Sequence, residues 1–364
     1  MRVLQVTTHM DMGGIANYII TLSESLNDKG AFCVVASSGG ELEGEMEKRG
    51  ILHRKLNIRT KSELAPKVLW SIFKLVGIVR DEGIDVIHAH TRVSQVAAFF
   101  ASRITGVPYV TTCHGFFKKR MRKVFDTWGS KAIAISDAVA LHLRDDLGVR
   151  DCRIALIYNG VDCGRFAKEY SAAEINEIKR RLGLEGQSVI GTIGRLSPVK
   201  GQKYLIEALA SLVSMRRDVR LLIAGDGPEE SALKELVKSL GLESIVRFAG
   251  SIIDTRGLLA IMDVFVFPSV KEGLGMALLE ALASGKACVA SNVGGIGNVI
   301  ENGSNGILVP IGDSAAIAGA VSRLLDNPEL RRKMGDSGRA VVREKFSLDS
   351  MTDKMIGVYK EVLR

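Results

Sequence analysis

Two apolar strand patterns on either side of a short helical segment constrain this chain most. Val264–Phe267 and Ala287–Ala290 are uninterrupted apolar runs, as is typical of strands buried on both faces of a parallel sheet. Between them, Gly275–Ser284 has helical periodicity, and Gly285 follows as a residue that commonly ends helices. This order predicts a parallel α/β sheet, in which ligands bind where the strands end.

The turn between the first strand and the helix, residues 268–275, suits an anionic, polyhydroxylated ligand. Its glycines leave the backbone bare, and the helix start presents unpaired N–H groups with a partial positive charge. Glu272 and Glu280 add two carboxylates that accept hydrogen bonds from hydroxyls. Either glutamate alone is more typical of a solvated surface, but the whole string favours a binding site. Its candidate backbone contacts are Gly273, Leu274, Gly275 and Met276.

These residues resemble the signature of the retaining GT-B glycosyltransferases of family GT4, in which Glu272 stands in Pro-Ser-x-x-Glu-Gly-x-Gly and Glu280 completes the spacing Glu-x7-Glu. The resemblance covers essentially the whole chain. It implies that Glu272 contacts the donor sugar and Glu280 the nucleotide ribose. It also implies an α/β architecture of two doubly wound Rossmann-like domains facing across a cleft, with the last helix crossing back to the first domain.

The length of the chain also predicts two domains, because 364 residues exceed the roughly 250–300 at which one core stops growing. We predict an acceptor-binding domain at residues 1–168, completed by the helix 348–364, and a nucleotide-sugar-binding domain at residues 169–347. Strands predicted in the first domain are Arg2–Thr7, Phe32–Ala36, Val86–Ala89, Tyr109–Thr112, Ala132–Ile135 and Ile154–Ile157. Helices predicted there include Ile15–Lys29, Ala65–Asp81, Val93–Thr105 and Asp137–Leu147.

A loop with two cations follows the predicted strand Val189–Ile193. The guanidinium of Arg195 can donate two parallel hydrogen bonds to phosphate oxygens, and the ammonium of Lys200 supplies a point charge. Two exposed cations in an ordinary loop are the alternative interpretation. The family pattern Gly-Arg-Leu-x-x-x-Lys-Gly, which begins at Gly194, favours binding of a nucleotide diphosphate.

Two further stretches are candidates for contact with the nucleotide. The loop around Gly227 has a bare backbone that suits a nucleotide edge. The strand Ile245–Phe248 resembles the base-binding edge of the family, which implies that backbone groups near Arg247 meet the nucleobase. Asp226 alone is more typical of a residue that caps a helix.

The first domain offers two candidates. Gly14 begins a predicted helix and makes a bare-backbone anion site, although a tight turn fits the spacing equally well; the resemblance places it against the donor diphosphate and the acceptor. Cys113 and His114 are adjacent on a strand end and point to opposite faces, so a Cys–His nucleophile is not expected. The resemblance gives His114 a place beside the donor sugar and the reacting centre.

Histidines and surface patterns elsewhere have simpler interpretations. His88 and His90 face one side of a strand, but with no third ligand in view they are interpreted as polar residues closing its end. Lys118–Lys123 is either a solvated loop or a site for anionic lipid headgroups or a phosphorylated acceptor. Six apolar residues of the predicted helix Ala65–Asp81 are interpreted as the face that packs on the sheet, and a helix lying on a membrane surface is the alternative. These six are Leu69, Trp70, Ile72, Phe73, Leu75 and Val76.

Composition bounds the compartment and the partners. The five cysteines show no CxxC or zinc spacing, which fits reduced thiols. The sequence also contains no Asp-x-Asp motif, whose carboxylates would hold a metal cation. Met1 leads directly into a predicted strand, and no apolar run approaches the roughly 20 residues of a membrane span. We expect a cytoplasmic protein, peripheral on the inner face of the membrane if Lys118–Lys123 binds lipid, without cofactor, metal or nucleic acid.

Together with these residues, the resemblance implies a retaining, metal-independent hexosyl- or N-acetylhexosaminyltransferase. Its donor is a UDP-sugar or GDP-sugar, UDP being the commoner in the family, and its acceptor a glycan or a lipid-linked precursor of cell-surface polysaccharide or lipopolysaccharide. The predicted catalytic residues are His114, Glu272, Arg195 and Lys200. A nucleotide-sugar 2-epimerase of the same architecture is the alternative enzyme, and a non-catalytic sugar-nucleotide-binding protein is the alternative outside enzymes.

Overall fold

The computed structural model of the protein describes residues 1–60, 62–63, 65–117 and 126–364, and it divides into two compact units. The first unit comprises Met1–Gly160 and Leu348–Arg364, and the second comprises Val161–Ser347. Residues 161–168, on the N-terminal side of the predicted boundary, therefore pack with the second unit. The stretch Lys118–Lys123 lies outside the described residues.

The first unit contains a parallel sheet of seven strands in the order β3-β2-β1-β4-β5-β6-β7. These strands are β1 (Arg2–Val6), β2 (Phe32–Ser37), β3 (Leu52–Lys55), β4 (Val86–Ala89), β5 (Tyr109–Cys113), β6 (Lys131–Ala134) and β7 (Ile154–Leu156). The chain leaves β1 in one direction and returns to its other side at β4. Such a switch point opens a crevice at the carboxyl ends of the strands.

Helices cover both faces of this sheet. They are α1 (Gly14–Asp28), α2 (Glu43–Lys48), α3 (Pro66–Asp81), α4 (Arg92–Thr105), α5 (Asp137–Leu141) and, from the end of the chain, α15 (Leu348–Val362). On one face α1 and α15 bury residues such as Leu22 and Met355, and on the other α3 and α4 bury Leu75 and Ala97. Apolar stripes on successive helices therefore account for the layered core.

The second unit repeats the plan with a parallel sheet of six strands in the order β10-β9-β8-β11-β12-β13, and its switch point lies between β8 and β11. The strands are β8 (Ser188–Ile193), β9 (Val219–Ala224), β10 (Val246–Gly250), β11 (Val264–Phe267), β12 (Ala287–Ser291) and β13 (Ile307–Val309). The helices are α6 (Cys163–Phe166), α7 (Ala172–Leu182), α8 (Gln202–Met215), α9 (Glu230–Ser239), α10 (Arg256–Ile261), α11 (Met276–Ala283), α12 (Ile296–Val299), α13 (Ser314–Asp326) and α14 (Pro328–Lys345). The prediction of two parallel, Rossmann-like sheets is confirmed.

Local predictions differ from the structure at several elements. The sequence interpretation did not include α2 or β3, and the predicted helix Asp137–Leu147 is α5 followed by a π-helical turn, His142–Asp146. Asp226 does not cap a helix, because α9 begins after Glu229 and has no side-chain cap.

One face of α3 also departs from the prediction. Ile72, Leu75 and Val76 are buried against the sheet as expected, but Leu69, Trp70 and Phe73 are 60%, 77% and 70% exposed. The prediction that all six apolar residues pack on the sheet is therefore wrong for three of them. Among the described residues, no helix combines the length and the apolar character that a bilayer span requires.

Candidate active site

Loops at the carboxyl ends of neighbouring strands in the second unit are joined by backbone hydrogen bonds. The amide of Gly225, after β9, donates to the carbonyl of Gly250, at the end of β10, over 2.7 Å. The amide of Val270, after β11, donates to the carbonyl of Val199, after β8, over 2.8 Å. These loops thus form a rim at the switch point, where a parallel sheet binds its ligands.

Glycine is required where these loops touch. A Cβ at Gly201 would lie 2.1 Å from the carbonyl oxygen of Pro268, and one at Gly227 would lie 2.2 Å from that of Leu196. Both glycines also have positive φ, +66° and +151°. Close packing of the rim therefore explains the glycine at position 227 without reference to a nucleotide. By contrast, a Cβ at Gly194 would meet no described atom within 4 Å.

The contact between two rim loops brings the predicted phosphate-binding lysine and the predicted sugar-binding glutamate together. Lys200 Nζ lies 2.5 Å from a carboxylate oxygen of Glu272, and the two side chains are 26% and 14% exposed. The other carboxylate oxygen accepts a hydrogen bond from the Gly273 amide over 3.1 Å. Because the pair is mostly shielded from water, each charge stabilises the other. A diphosphate that reaches Lys200 must compete with Glu272 for it.

Arg195 is the second predicted cation, and its side chain is exposed. Its backbone carbonyl accepts a hydrogen bond from Nε2 of Gln202 over 3.0 Å, and Gln202 is buried. None of the described residues forms an ion pair with Arg195. The loop backbone is therefore fixed by Gln202 while the guanidinium charge stays available to a ligand. The sequence shows Gln202 as the first residue of a helix but does not show that it is buried.

The start of α11 has the features expected of an anion-binding helix end. Gly275 precedes the helix with φ +95°, and a Cβ there would lie 3.0 Å from the ring of Phe267. Leu274 is fully buried, so its backbone alone can reach a ligand, whereas Met276 is partly exposed. No side chain caps the start of α11, and Leu278 donates its amide to the Gly275 carbonyl over 3.1 Å, so the amides of Met276 and Ala277 are the ones left at the positive end of the helix.

Glu280 lies one turn into α11 in a different environment from Glu272. It accepts a hydrogen bond from Oγ1 of Thr255 over 3.0 Å. Burial raises the pKa of Glu280 to about 7; Thr255 and Arg165 oppose the rise, and Asp254 adds to it. Near neutral pH the carboxyl group is therefore protonated in about half of the molecules and can both donate and accept hydrogen bonds with hydroxyls. The sequence interpretation did not find Thr255, Asp254 or Arg165, which come from separate segments.

Arg247 does not join these residues. Its guanidinium donates to the backbone carbonyls of Glu243 and Val246 over 3.3 and 3.2 Å, so it points to the amino-terminal edge of the sheet. The rim lies at the carboxyl edge, which β10 reaches at Gly250. Only the backbone of β10 is placed for the predicted nucleobase contact.

In the first unit, the structure connects Gly14 with His114. Gly14 begins α1 after Gly13, without a side-chain cap, and a Cβ at Gly14 would meet no described atom within 4 Å. Tyr18, one turn later, packs its ring edge-to-face with the His114 ring, with centroids 4.9 Å apart. The bare helix start and the histidine thus lie at the same end of this sheet.

A chain of buried side chains runs from His114 into the core. His114 Nε2 lies 3.1 Å from His90 Nδ1, and His90 Nε2 lies 2.6 Å from Oε1 of Gln5. Gln5 Nε2 lies 3.4 Å from the hydroxyl of Tyr359, which lies 2.7 Å from His88 Nδ1. The sequence interpretation did not connect Gln5 or Tyr359 with the histidines. In the described part of the chain, no group of three or more His, Cys, Asp or Glu residues could hold a metal ion.

Gln5 sets the direction of this chain. Its amide oxygen can only accept, so Nε2 of His90 carries a hydrogen and, since burial lowers the pKa of His90 well below its usual value, Nδ1 does not. His114 must then donate from Nε2. Burial lowers the pKa of His114 to about 3, so the ring is neutral and its Nδ1 is a hydrogen-bond acceptor.

Tyr359→Phe tests this buried chain. The substitution removes the hydroxyl that joins Gln5 to His88 and leaves two buried polar groups without a partner, so we expect local stability to fall by about 1–3 kcal/mol. Native-state hydrogen exchange of the β1 and β4 amides would measure the loss. Tyr204→Phe is the matched control, because no described residue bonds its hydroxyl. Equal protection in both variants would contradict the assigned chain.

Glu280→Gln tests the environment of this half-buried carboxyl group. The folded pKa of about 7 exceeds the reference value of 4.5, so the stability that the protonated group contributes is complete below 4.5 and is lost as pH rises to about 7. The shift sets an upper limit of about 3 kcal/mol for this loss in the second unit. We expect urea titrations across this range to show a smaller pH dependence for Glu280→Gln than for the wild type. The exposed Glu235→Gln is the control, and a pH dependence unchanged in Glu280→Gln would reject the raised pKa.

Comparison with known proteins gives a family match in each half of the chain. Residues 174–341 match the family described as Glycosyl transferases group 1, and residues 12–165 match Glycosyltransferase Family 4. The alpha-D-kanosaminyltransferase of Streptomyces kanamyceticus is 31% identical over 318 residues, which span 81% of this chain and 82% of the relative. A UDP-Gal:alpha-D-GlcNAc-diphosphoundecaprenol alpha-1,3-galactosyltransferase of Escherichia coli is 29% identical over 314 residues, 82% of this chain and 80% of the relative.

A solved structure shows the same fold along the whole chain. The Anabaena protein HepE, in complex with UDP-glucose, aligns with a TM-score of 0.88 and 25% identity, covering 99% of this chain and all of that one. The named relatives do not favour the epimerase alternative. The chain therefore belongs to the family 4 glycosyltransferases, the glycosyl transferases group 1, and has the GT-B fold.

Proposed function

We propose that this glycosyltransferase moves a hexosyl or N-acetylhexosaminyl group from a UDP-sugar to a glycan or lipid-linked acceptor, with retention of anomeric configuration and without a metal ion. The contact between Lys200 and Glu272 carries this proposal. It brings the lysine proposed to bind phosphate and the carboxylate proposed to bind the sugar together at the switch point of the second unit.

The reaction needs stabilisation of a departing diphosphate. Negative charge grows on the phosphate oxygens as the sugar–oxygen bond breaks, and Lys200, Arg195 and the amides at the start of α11 are the groups that oppose it. These positive groups support the proposal that the protein itself, without a metal ion, neutralises the charge of the leaving diphosphate. Glu272 orients the sugar through its hydroxyls, and the departing phosphate accepts the proton of the acceptor hydroxyl on the same face. The neutral His114, with Nδ1 as acceptor, is proposed to fix a sugar hydroxyl.

Donor and acceptor classes come from relatives. HepE has been solved with UDP-glucose, and the name of the Escherichia coli relative gives UDP-Gal as donor and a diphosphoundecaprenol-linked sugar as acceptor. A UDP-sugar therefore has more support here than a GDP-sugar, and a role in cell-surface polysaccharide synthesis follows from such an acceptor. None of the five cysteines forms a disulfide bond, which supports a cytoplasmic site for the reaction.

Substitutions of the ion pair separate the two proposed roles. Lys200→Ala should weaken UDP binding by about tenfold or more, because a charge-assisted contact to phosphate is lost. Glu272→Ala should abolish transfer yet bind UDP at least as tightly as the wild type, because Lys200 no longer has a competing carboxylate. Isothermal titration with UDP and product formation from UDP-glucose, UDP-galactose and their N-acetyl counterparts would measure both.

Lys203→Ala is the matched control, since this exposed lysine lies one residue into α8. UDP affinity unchanged in Lys200→Ala would place the phosphates elsewhere. Donor binding without turnover on any glycan or lipid-linked acceptor would support the non-catalytic alternative. Inversion at the anomeric carbon of the product, or activity lost with EDTA and restored by a divalent cation, would contradict the proposed chemistry.

A further inference from the structure

Helix α3 presents a group of large apolar side chains on the face turned away from its sheet. Leu69, Trp70 and Phe73 are 60%, 77% and 70% exposed. They lie at positions i, i+1 and i+4 of the helix, so they are neighbours on one side. We call these three residues the α3 patch. The opposite side of the helix already supplies the core of the first unit through Leu75, which is fully buried.

Packing within the first unit does not account for the α3 patch. Isolated exposed leucines are common on protein surfaces, but a contiguous group that includes two aromatic rings is typical of an interaction surface. The chain has two tryptophans, and Trp128 is 3% exposed whereas Trp70 is 77% exposed. The exposed ring is therefore a specific feature of α3.

Charge identifies what this surface fits. Lys67 and Lys74 lie three residues before and four residues after Trp70, on the same side of the helix, and both are exposed. Neither forms an ion pair with any described residue. The one acidic residue of α3 is Asp81, at its last position. Apolar rings flanked by unpaired lysines are the pattern of helices that lie in the interface of anionic membranes.

We propose that the α3 patch docks the protein on an anionic lipid bilayer. Trp70, Phe73 and Leu69 enter the boundary between headgroups and acyl chains, and Lys67 and Lys74 contact the lipid phosphates. A second copy of this chain fits the same face less well. A two-fold contact would bring Lys67 and Lys74 of both copies together with no acid on the face to neutralise them. This surface is separate from the proposed donor-binding residues, so its test does not depend on the proposed function.

Trp70 allows a direct measurement on the intact protein. Vesicles of phosphatidylcholine alone are compared with vesicles of equal parts phosphatidylcholine and phosphatidylglycerol. On the anionic vesicles we expect a blue shift of tryptophan emission and quenching by brominated lipid, because the ring of Trp70 leaves water for the bilayer. The change reports Trp70 alone, since the buried Trp128 contributes a constant background. Neutral vesicles should give little of either effect.

Paired variants test the two kinds of contact. Lys67→Glu with Lys74→Glu should lower the partition onto anionic vesicles by about 30-fold or more. Lys238→Glu with Lys333→Glu gives the same change in net charge at exposed sites of the second unit and should have little effect. Trp70→Ser with Phe73→Ser, measured by vesicle sedimentation, should lower the partition at least about tenfold. Met215→Ser with Ile253→Ser is the control at side chains 66% and 58% exposed.

Three results would overturn the proposal. Wild-type protein that fails to bind anionic vesicles would exclude a bilayer as the occupant. Equal loss of binding in the patch variants and in their controls would show a general charge or hydrophobicity effect. A dimer in sedimentation velocity that dissociates in Trp70→Ser with Phe73→Ser, without vesicle binding by the wild type, would assign the patch to a second copy.

Discussion

The ion pair of Lys200 and Glu272 depends on how closely two loops of the second unit approach each other. The switch point of the sheet sets the loops after β8 and β11 side by side. Because Gly201 has no side chain, the carbonyl oxygen of Pro268 occupies the space that a Cβ at position 201 would need. Val270 then bonds to Val199, and the two charges meet. Topology, a glycine and an ion pair thus form one sequence of causes that places a partly shielded lysine at the rim of the sheet.

The first unit holds its candidate residue by a different principle. His114 is neutral and its tautomer is fixed through His90 and Gln5 by donors and acceptors that are almost all removed from water. Such a chain is rigid because any broken link leaves a buried polar group unsatisfied. Tyr359 completes it from α15, so the final helix of the chain contributes polar order as well as apolar area to this unit. The ion pair of the second unit, mostly shielded yet charged and open at one side, is by contrast suited to exchange partners.

Local pattern was enough to predict the features that one segment encodes. The cationic loop that ends at Lys200, the segment from Glu272 to Glu280 and most strand positions could be read directly, because glycines, charges and apolar runs mark them. Gln5 and Tyr359 are 354 residues apart, and nothing in either neighbourhood indicates the other. The edge strand β3 reads Leu-His-Arg-Lys and lacks an apolar signal. Periodicity failed on α3 because apolar residues occur on both of its sides, and only tertiary packing decides which side is buried.

Two glutamates eight positions apart show why residue type alone does not define a role. Glu272 faces a lysine ammonium at 2.5 Å, so it acts as a charge that shares its partner with an anionic ligand. Glu280 faces the hydroxyl of Thr255 in a half-buried position, and its partial removal from water raises its pKa to about 7, so it acts as a carboxyl group that exchanges its proton near neutrality. In the proposed function, a phosphate of the donor competes with Glu272 for its lysine, whereas a neutral ribose hydroxyl replaces lost water at Glu280. The loop after β8 supplies the lysine beside Glu272, and the segment before α10 supplies the hydroxyl beside Glu280. These different surroundings suit Glu272 to the recognition of charge and Glu280 to the recognition of hydroxyls.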